Sequence, residues 1–364
     1  MRTIRRLIYR EVLAAVVFVT VGFLALFFFF DLVDELPNVG RGLSSYRLTQ
    51  AFVYVALMVP SHLYELLPIA VLIGTIFVMA RLAQSSEYTI LRTSGLGPWR
   101  AMRTLLLLGL VFTFITFATG DYLAPAADRA GQLLKARLEG RISVGQTGAW
   151  LKERQAFHTF NVNVGALTPE GDMQNIRIFE SDARGSLVSI TNSPRGRFGE
   201  DGSWSLENAE RSEFAQDTPK VETVKMPQYR WPTEITPEMV SVALLKPDKM
   251  STLDLFQYIE HLEANGQTSQ RYEIEFWRKV FYPLSCTVMV VLALPFAYLH
   301  FRAGGITSYV FGGVLIGISF FLLNNVFGYI GNLQNWRPWL TAAAPGLIYT
   351  MFSLGAFGWL VLRR

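Results

Sequence analysis

Val12 to Phe30 reads VLAAVVFVTVGFLALFFFF and holds no charged residue in nineteen positions. Val280 to Leu299 and Pro338 to Leu362 are equally free of charge. A helix needs about 20 mostly apolar residues to cross the hydrocarbon core of a bilayer. Only helices and closed barrels satisfy their own backbone there. In all, three apolar segments precede residue 121 and three lie beyond residue 279. The long stretch between them is polar. The expected fold class is a polytopic α-helical membrane protein with six transmembrane helices, three plus three, and a large domain inserted between the halves. A cleaved leader would carry an apolar region of about 7–15 residues and a small-residue cleavage site. The first run is longer and ends on Asp31 without such a site, so it reads as a retained span.

Charge placement gives the orientation. Arg2, Arg5, Arg6 and Arg10 precede the first span. Arg81, Arg92, Arg100 and Arg103 surround a short loop, Arg302 comes after the fourth span, and Arg363 and Arg364 close the chain. Arg and Lys concentrate in cytoplasmic loops. Both termini are therefore expected in the cytoplasm and the central domain on the opposite side. The charged share is 17%, below the roughly 25% usual for a soluble domain. Cys286 is the single cysteine, so no disulfide forms within the chain.

Several functions find no support in these residues. No phosphate loop of the Gly-x-x-x-x-Gly-Lys-[Ser/Thr] type occurs, so the chain does not read as its own ATPase. No Cys/His cluster has zinc spacing. His62, His158, His261 and His300 are scattered, which argues against ligand or base roles. No Gly-x-Ser-x-Gly elbow occurs. Basic residues at membrane boundaries do not make a nucleic-acid surface. Ionisable groups at membrane depth are scarce, Glu65 being the nearest case. Asn324 and Asn325 are expected to hydrogen-bond between helices.

The first span is expected over Glu11 to Val33. The second apolar region, Ala51 to Ala80, reads as interrupted, with an entering helix near 49–59 and a span from Ser61 to Ala80 kinked at Pro68. The others are Met102 to Leu123, Val280 to Leu299, Ile306 to Ile330 and Pro338 to Leu362. Ala126 to Glu139 reads as a helix leaving the membrane. Alternating runs come next: Phe160, Val162 and Val164 share one face, as do Ile176 and Ile178, and Trp204 and Leu206. Period-two runs bounded by turn residues indicate half-buried antiparallel strands. Several at this spacing indicate a sandwich or an antiparallel β-jelly-roll-like domain. Thr252 to Asn265 reads as an amphipathic helix with Leu253, Phe256, Ile259 and Leu262 as its stripe. The resulting divisions are 1–123, 124–270 and 271–364.

Ala83 to Arg100 carries the most specific short signal. Ser85 and Ser86 are candidate caps, and Glu87 falls in the first turn, where the helix dipole favours an anion. Tyr88, Leu91 and Arg92 stand at spacings that group them on one face. Gly95, Gly97 and Pro98 end the helix. So short a helix is unstable alone in water. It packs either on its own bundle or against a cytoplasmic motor as a coupling helix.

Four stretches resemble one known family. They are Leu32-Val33-Asp34-Glu35-Leu36; Leu82 to Glu87 with Ser94-Gly95; Gly120-Asp121-Tyr122-Leu123-Ala124-Pro125; and Gly266-Gln267 with Arg271, Tyr272, Trp277, Lys279 and Phe281-x-Pro-Leu-Ser285. In order and spacing they are similar to the lipopolysaccharide-export ABC permeases of the Lpt system, closer to the G-type subunit than to its F-type paralogue. The resemblance covers essentially the whole chain. It implies a non-catalytic subunit in the bacterial inner membrane with a periplasmic central domain. The implied partners are the paralogous F-type permease, a cytoplasmic ATPase dimer carrying ATP and Mg, a single-span periplasmic bridge subunit and lipopolysaccharide. This chain itself would bind no cofactor and no metal.

The ATPase-coupling residues would then be Ser85, Ser86, Glu87, Tyr88, Leu91 and Arg92. An acyl cavity could be walled by Leu26, Phe27, Phe30 and Leu66 on one side, and by Phe320, Phe321, Val326 and Phe327 on the other; ordinary lipid or helix contact is the alternative. Lipid phosphates need cations, for which Arg41, Arg47, Lys135 and Arg137 are placed at the outward mouth; solvated surface charge is the alternative. The family often carries lysines after its Val-Asp-x-Leu element, where this chain has Pro37 and Asn38. A rival function is a mechanotransmitter or scaffold that conveys ATPase motion without moving lipid.

Overall fold

The computed structural model describes residues 2–40, 46–139, 148–168, 171–199, 201–214, 220–244, 246–298 and 305–362. In chain order these form α1 (Arg2–Glu35), α2 (Leu48–Gln84), α3 (Glu87–Thr93), α4 (Pro98–Ala118), a π-turn (Thr119–Leu123) and α5 (Ala124–Glu139). Six strands come next: β1 (Ala149–Arg154), β2 (His158–Leu167), β3 (Met173–Asp182), β4 (Leu187–Phe198), β5 (Ser203–Phe214) and β6 (Val221–Pro232). The remainder is α6 (Pro237–Ala243), α7 (Thr252–Ala264), α8 (Gln270–Phe281), α9 (Ser285–Leu292), α10 (Ile306–Leu333) and α11 (Pro338–Leu362). Two units emerge. One comprises Met1–Asp34, Met58–Ala127 and Glu273–Arg364; the other comprises Glu35–Leu57 and Asp128–Tyr272.

The first unit is helical. Among the described residues, six segments are long and apolar enough to cross a membrane: Thr3–Asn38, Leu48–Gln84, Pro98–Lys135, Gln270–Tyr298, Ile306–Leu333 and Pro338–Trp359. The three-plus-three layout holds. Helices without a hydrophobic drive between them associate through small residues and close backbones. A methyl built on Gly74 of α2 would lie 2.8 Å from the Val16 nitrogen of α1. One built on Gly109 of α4 would lie 2.8 Å from the Thr287 Cα of α9. Beside that crossing the Thr113 hydroxyl donates to the Pro283 carbonyl at 3.1 Å. Val12, Val16, Val71, Leu105, Leu108 and Val290 are buried in one apolar core there.

Three expectations change. The second region is one continuous helix through Pro60 and Pro68, not an entering segment and a separate span. The fourth span begins earlier, at Gln270, and is broken by 3-10 turns at Tyr282–Leu284 and Leu294–Tyr298, where Pro283 and Pro295 withhold helix donors. The Asn324 side chain donates to Phe320 O of its own helix at 2.9 Å, while Asn325 is exposed. Among the described residues neither side chain forms the interhelical bond expected. His300, Arg302, Arg363 and Arg364 lie outside the described residues.

In the second unit the expected inserted antiparallel β domain is a six-stranded sheet in the order β1-β2-β3-β4-β5-β6. Each strand bonds the next in sequence, giving an up-and-down meander rather than the Greek keys of a jelly roll. The register sets Val162 opposite Ile178 and Val164 opposite Ile176, so the alternating residues share a buried face. The sheet curls. Phe160 of β2 and Trp231 of β6 belong to non-neighbouring strands, yet their rings are 6.3 Å apart. Glu153 of β1 reaches the segment after β6, accepting from the Thr233 hydroxyl and, at 3.2 Å, from Glu234 N–H. Val240 and Leu244 add to the core from α6 and the turn after it.

α7 begins with a capping box: Ser251 Oγ accepts from Asp254 N–H, and the Asp254 carboxylate accepts from Ser251 N–H. It ends at Gly266, whose φ of +61 suits the left-handed position after a helix. Its buried residues are Leu255, Tyr258 and Leu262. Leu253 and Phe256, expected in the stripe, are exposed. The amphipathic Tyr258 takes the inward place because its ring is apolar enough to pack while its end is polar.

Candidate docking helix and lipid-contact site

α3 is short and held by two side chains. Tyr88 is 3% exposed, and its ring meets that of Tyr298 edge-on at 5.0 Å. Burial, then the neighbouring Tyr298, holds the Tyr88 hydroxyl far above its ordinary pKa. Leu91 packs against the same core. Glu87, Ile90 and Arg92 are exposed. The helix therefore divides: Tyr88 and Leu91 anchor it to the first unit, while Arg92 is exposed. Of the three residues grouped by spacing, Tyr88 is buried, Leu91 half-buried and Arg92 exposed. Ser86 stands before the helix with φ +60 and makes no side-chain cap. The Ser85 hydroxyl donates back to Arg81 O at 3.1 Å. Ser85 thus uses its hydroxyl on the preceding helix, and Ser86 shapes the turn through its backbone.

The residues expected along an acyl wall differ in position. Leu26, Phe30, Phe321 and Val326 are exposed on the helices of the first unit. Phe27 is half-buried against His62, ring to ring at 5.0 Å, and Phe327 lies 6.2 Å from Trp336. Leu66 is half-buried. Phe320 is 1% exposed, packed between Tyr282 and Tyr349. It belongs to the interior of the bundle, because its neighbours on other helices cover it.

The cations expected to meet phosphate differ in their surroundings. In the second unit Lys135 Nζ donates to Glu35 Oε2 at 3.3 Å and sits 4.8 Å from the Tyr54 ring centre. Glu35 is 7% exposed and also accepts from Asn38 Nδ2 at 3.2 Å. Lys135 is therefore an engaged cation rather than a solvated one. Arg47 is exposed, with no ion pair among the described residues. Arg41 and the Arg137 side chain lie outside the described residues.

Residues 6–363 match the family described as lipopolysaccharide export system permease LptF/LptG. The chain belongs to this family. It is similar to the lipopolysaccharide export system permease protein LptG of Haemophilus influenzae, 25% identical over 365 residues that cover 100% of this chain and 99% of that protein. It is also similar to the protein of the same name from Escherichia coli strain K12, 26% identical over 335 residues that cover 91% and 90%. The chain is thus a multi-pass inner-membrane permease subunit of the lipopolysaccharide export system, of the LptG type.

Sequence reasoning missed three polar contacts of this LptF/LptG-family permease. His62 Nε2 lies 2.7 Å from Asp31 Oδ2, joining α2 to α1. Arg278 bridges Glu275, at 2.9 Å, and the Asn324 carbonyl in α10, at 2.8 Å. Lys279 donates to the Gly120 carbonyl at 2.8 Å. An ionisable group among apolar spans is itself a signal to look for a partner. Apart from Glu275, three residues from Arg278, the partners here lie 31, 46 and 159 residues away along the chain.

Proposed function

We propose that this permease subunit extracts lipopolysaccharide from the outer leaflet of the inner membrane and passes it to a periplasmic bridge, driven by a separate cytoplasmic ATPase. The exposed Leu26, Phe30, Phe321 and Val326 would meet acyl chains, and Arg47 and Lys135 the phosphates. The paralogous F-type permease would complete the cavity, and a single-span subunit would begin the bridge. ATP and Mg would be held by the ATPase dimer. Both termini would face the cytoplasm and the β domain the periplasm, as the arginine distribution requires.

The division of α3 carries this reading. Tyr88 and Leu91 fix the helix, leaving Glu87, Ile90 and Arg92 exposed for an ATPase. The test is reconstitution of the transporter with Glu87→Ala and, separately, Tyr88→Ala. Glu87→Ala is expected to keep the thermal stability of the parent while lipid release per ATP hydrolysed falls. Tyr88→Ala is expected to destabilise by about 3–5 kcal/mol, as loss of a large buried side chain does. Unaltered lipid release with Glu87→Ala defeats the docking role. Purified complex free of lipopolysaccharide would instead favour a scaffold that moves no lipid.

A further inference from the structure

The third span changes helix type in its course. α4 passes into the π-turn Thr119–Leu123, and Ala124 N–H donates to Thr119 O instead of to Gly120 O. The next residue, 125, is a proline, which has no N–H. The Gly120 carbonyl thereby loses both the donor four residues on and the donor five residues on. Within a span no water replaces them, so a partner from another element is required. Lys279 Nζ supplies it at 2.8 Å. Lys279 is 6% exposed, and its ammonium lies 5.6 Å from the Tyr64 ring centre.

Gly120 is where such a donor can reach. A methyl on it would lie 2.3 Å from the Tyr64 ring, so no larger residue fits without moving that ring. The fourth span makes a second contact of this kind. Tyr282 O–H donates to the Glu65 carbonyl at 2.6 Å, three residues before Pro68 of α2. Two donors three residues apart thus meet carbonyls close to prolines in two other spans. π-turns inside α-helices are uncommon and frequent at functional sites. Removing one shifts the register of the C-terminal part of the helix by one residue, about 100° of rotation.

We propose that Lys279 is a positioning residue of the transporter, whose bond to the Gly120 carbonyl holds the π-turn and so sets the helix register of the third span beyond residue 123. The role belongs to the donated hydrogen bond, not to the charge as such. It goes beyond the transport reading and does not depend on which lipid is carried.

Hydrogen exchange monitored by mass spectrometry over residues 119–126, on full-length protein in detergent, tests this without reference to cargo. Lys279→Met is expected to speed exchange there about tenfold, the scale of losing one buried hydrogen-bond partner. Lys279→Arg keeps a donor and is expected to retain protection. The decisive variant is Lys279→Met with Pro125→Ala, which returns an N–H to position 125, five residues after Gly120. It is expected to restore protection to within about threefold of the parent, since the lost donor is replaced. A role resting on the cation alone would not be rescued. Undiminished protection in Lys279→Met, or continued fast exchange in the double variant, overturns the proposal. If Lys279→Met alone does not accumulate, recovery of folded double variant supports it and failure of both overturns it.

Discussion

Lys135 Nζ donates to Glu35 Oε2 across 3.3 Å, joining residues 100 positions apart in the sequence. Glu35 lies just past the first apolar run and Lys135 lies on α5. A cation proposed to meet lipid phosphate is thus held by a carboxylate of its own chain, and in that proposal the two acceptors would compete.

Glu35→Gln removes the competing charge. Affinity for lipopolysaccharide is expected to rise a few-fold, and Lys135→Ala to lower it with a shallower salt dependence, since screening acts on the charges that remain. Photocrosslinking titrations at two salt concentrations read both. Equal affinities for the parent and the two variants would remove Lys135 from the lipid site. Lys135→Ala also leaves Glu35 with one fewer partner, which costs about 1–3 kcal/mol where the group is buried.

Gly74→Ala is expected to lower thermal stability by about 1–3 kcal/mol, because an added methyl meets the Val16 backbone, which cannot swing aside like a side chain. Gly22→Ala is the control, having open space around its added methyl. A melting experiment in detergent compares the pair. Equal melting temperatures would show that the α1–α2 crossing has room for a methyl.

His261 gives the second unit a pH dependence. Burial holds its pKa below the ordinary value, against the opposing pull of Glu153 and Glu234. A group whose folded pKa is depressed contributes stability above its unfolded value, about 6.5, and loses it as pH falls through the folded value. Protection of α7 amides is therefore expected to weaken between pH 7.5 and pH 5.5. His261→Gln should flatten that change. The same slope in the variant would assign it to another group.

Local pattern alone located most of the elements. The uncharged runs marked the spans because length and apolarity are properties of a segment. Val162, Val164, Ile176 and Ile178 declared their shared face because a strand alternates with period two. The α7 stripe misled because Leu253 and Phe256 are apolar yet exposed, while Tyr258, Leu255 and Leu262 pack. Hydrophobicity ranks residues, but the neighbours decide which side is covered. The same limit applied to α3, where Tyr88 is buried and Arg92, four residues on, is exposed. Among the residues expected along an acyl wall, Phe320 is buried and its identical neighbour Phe321 is exposed.

Six membrane-crossing helices, three before and three after an inserted antiparallel β domain in sequence, could be read directly from the chain, since hydropathy and periodicity act over one segment at a time. Three-dimensional packing alone settled the meander order of the sheet, the capture of Lys135 by Glu35 and the support of the Gly120 carbonyl by Lys279. The two polar contacts join residues 100 and 159 positions apart, and a hydrogen bond or ion pair depends on distances that no local pattern encodes; the strand order was open because alternation shows a strand's faces but not its neighbours.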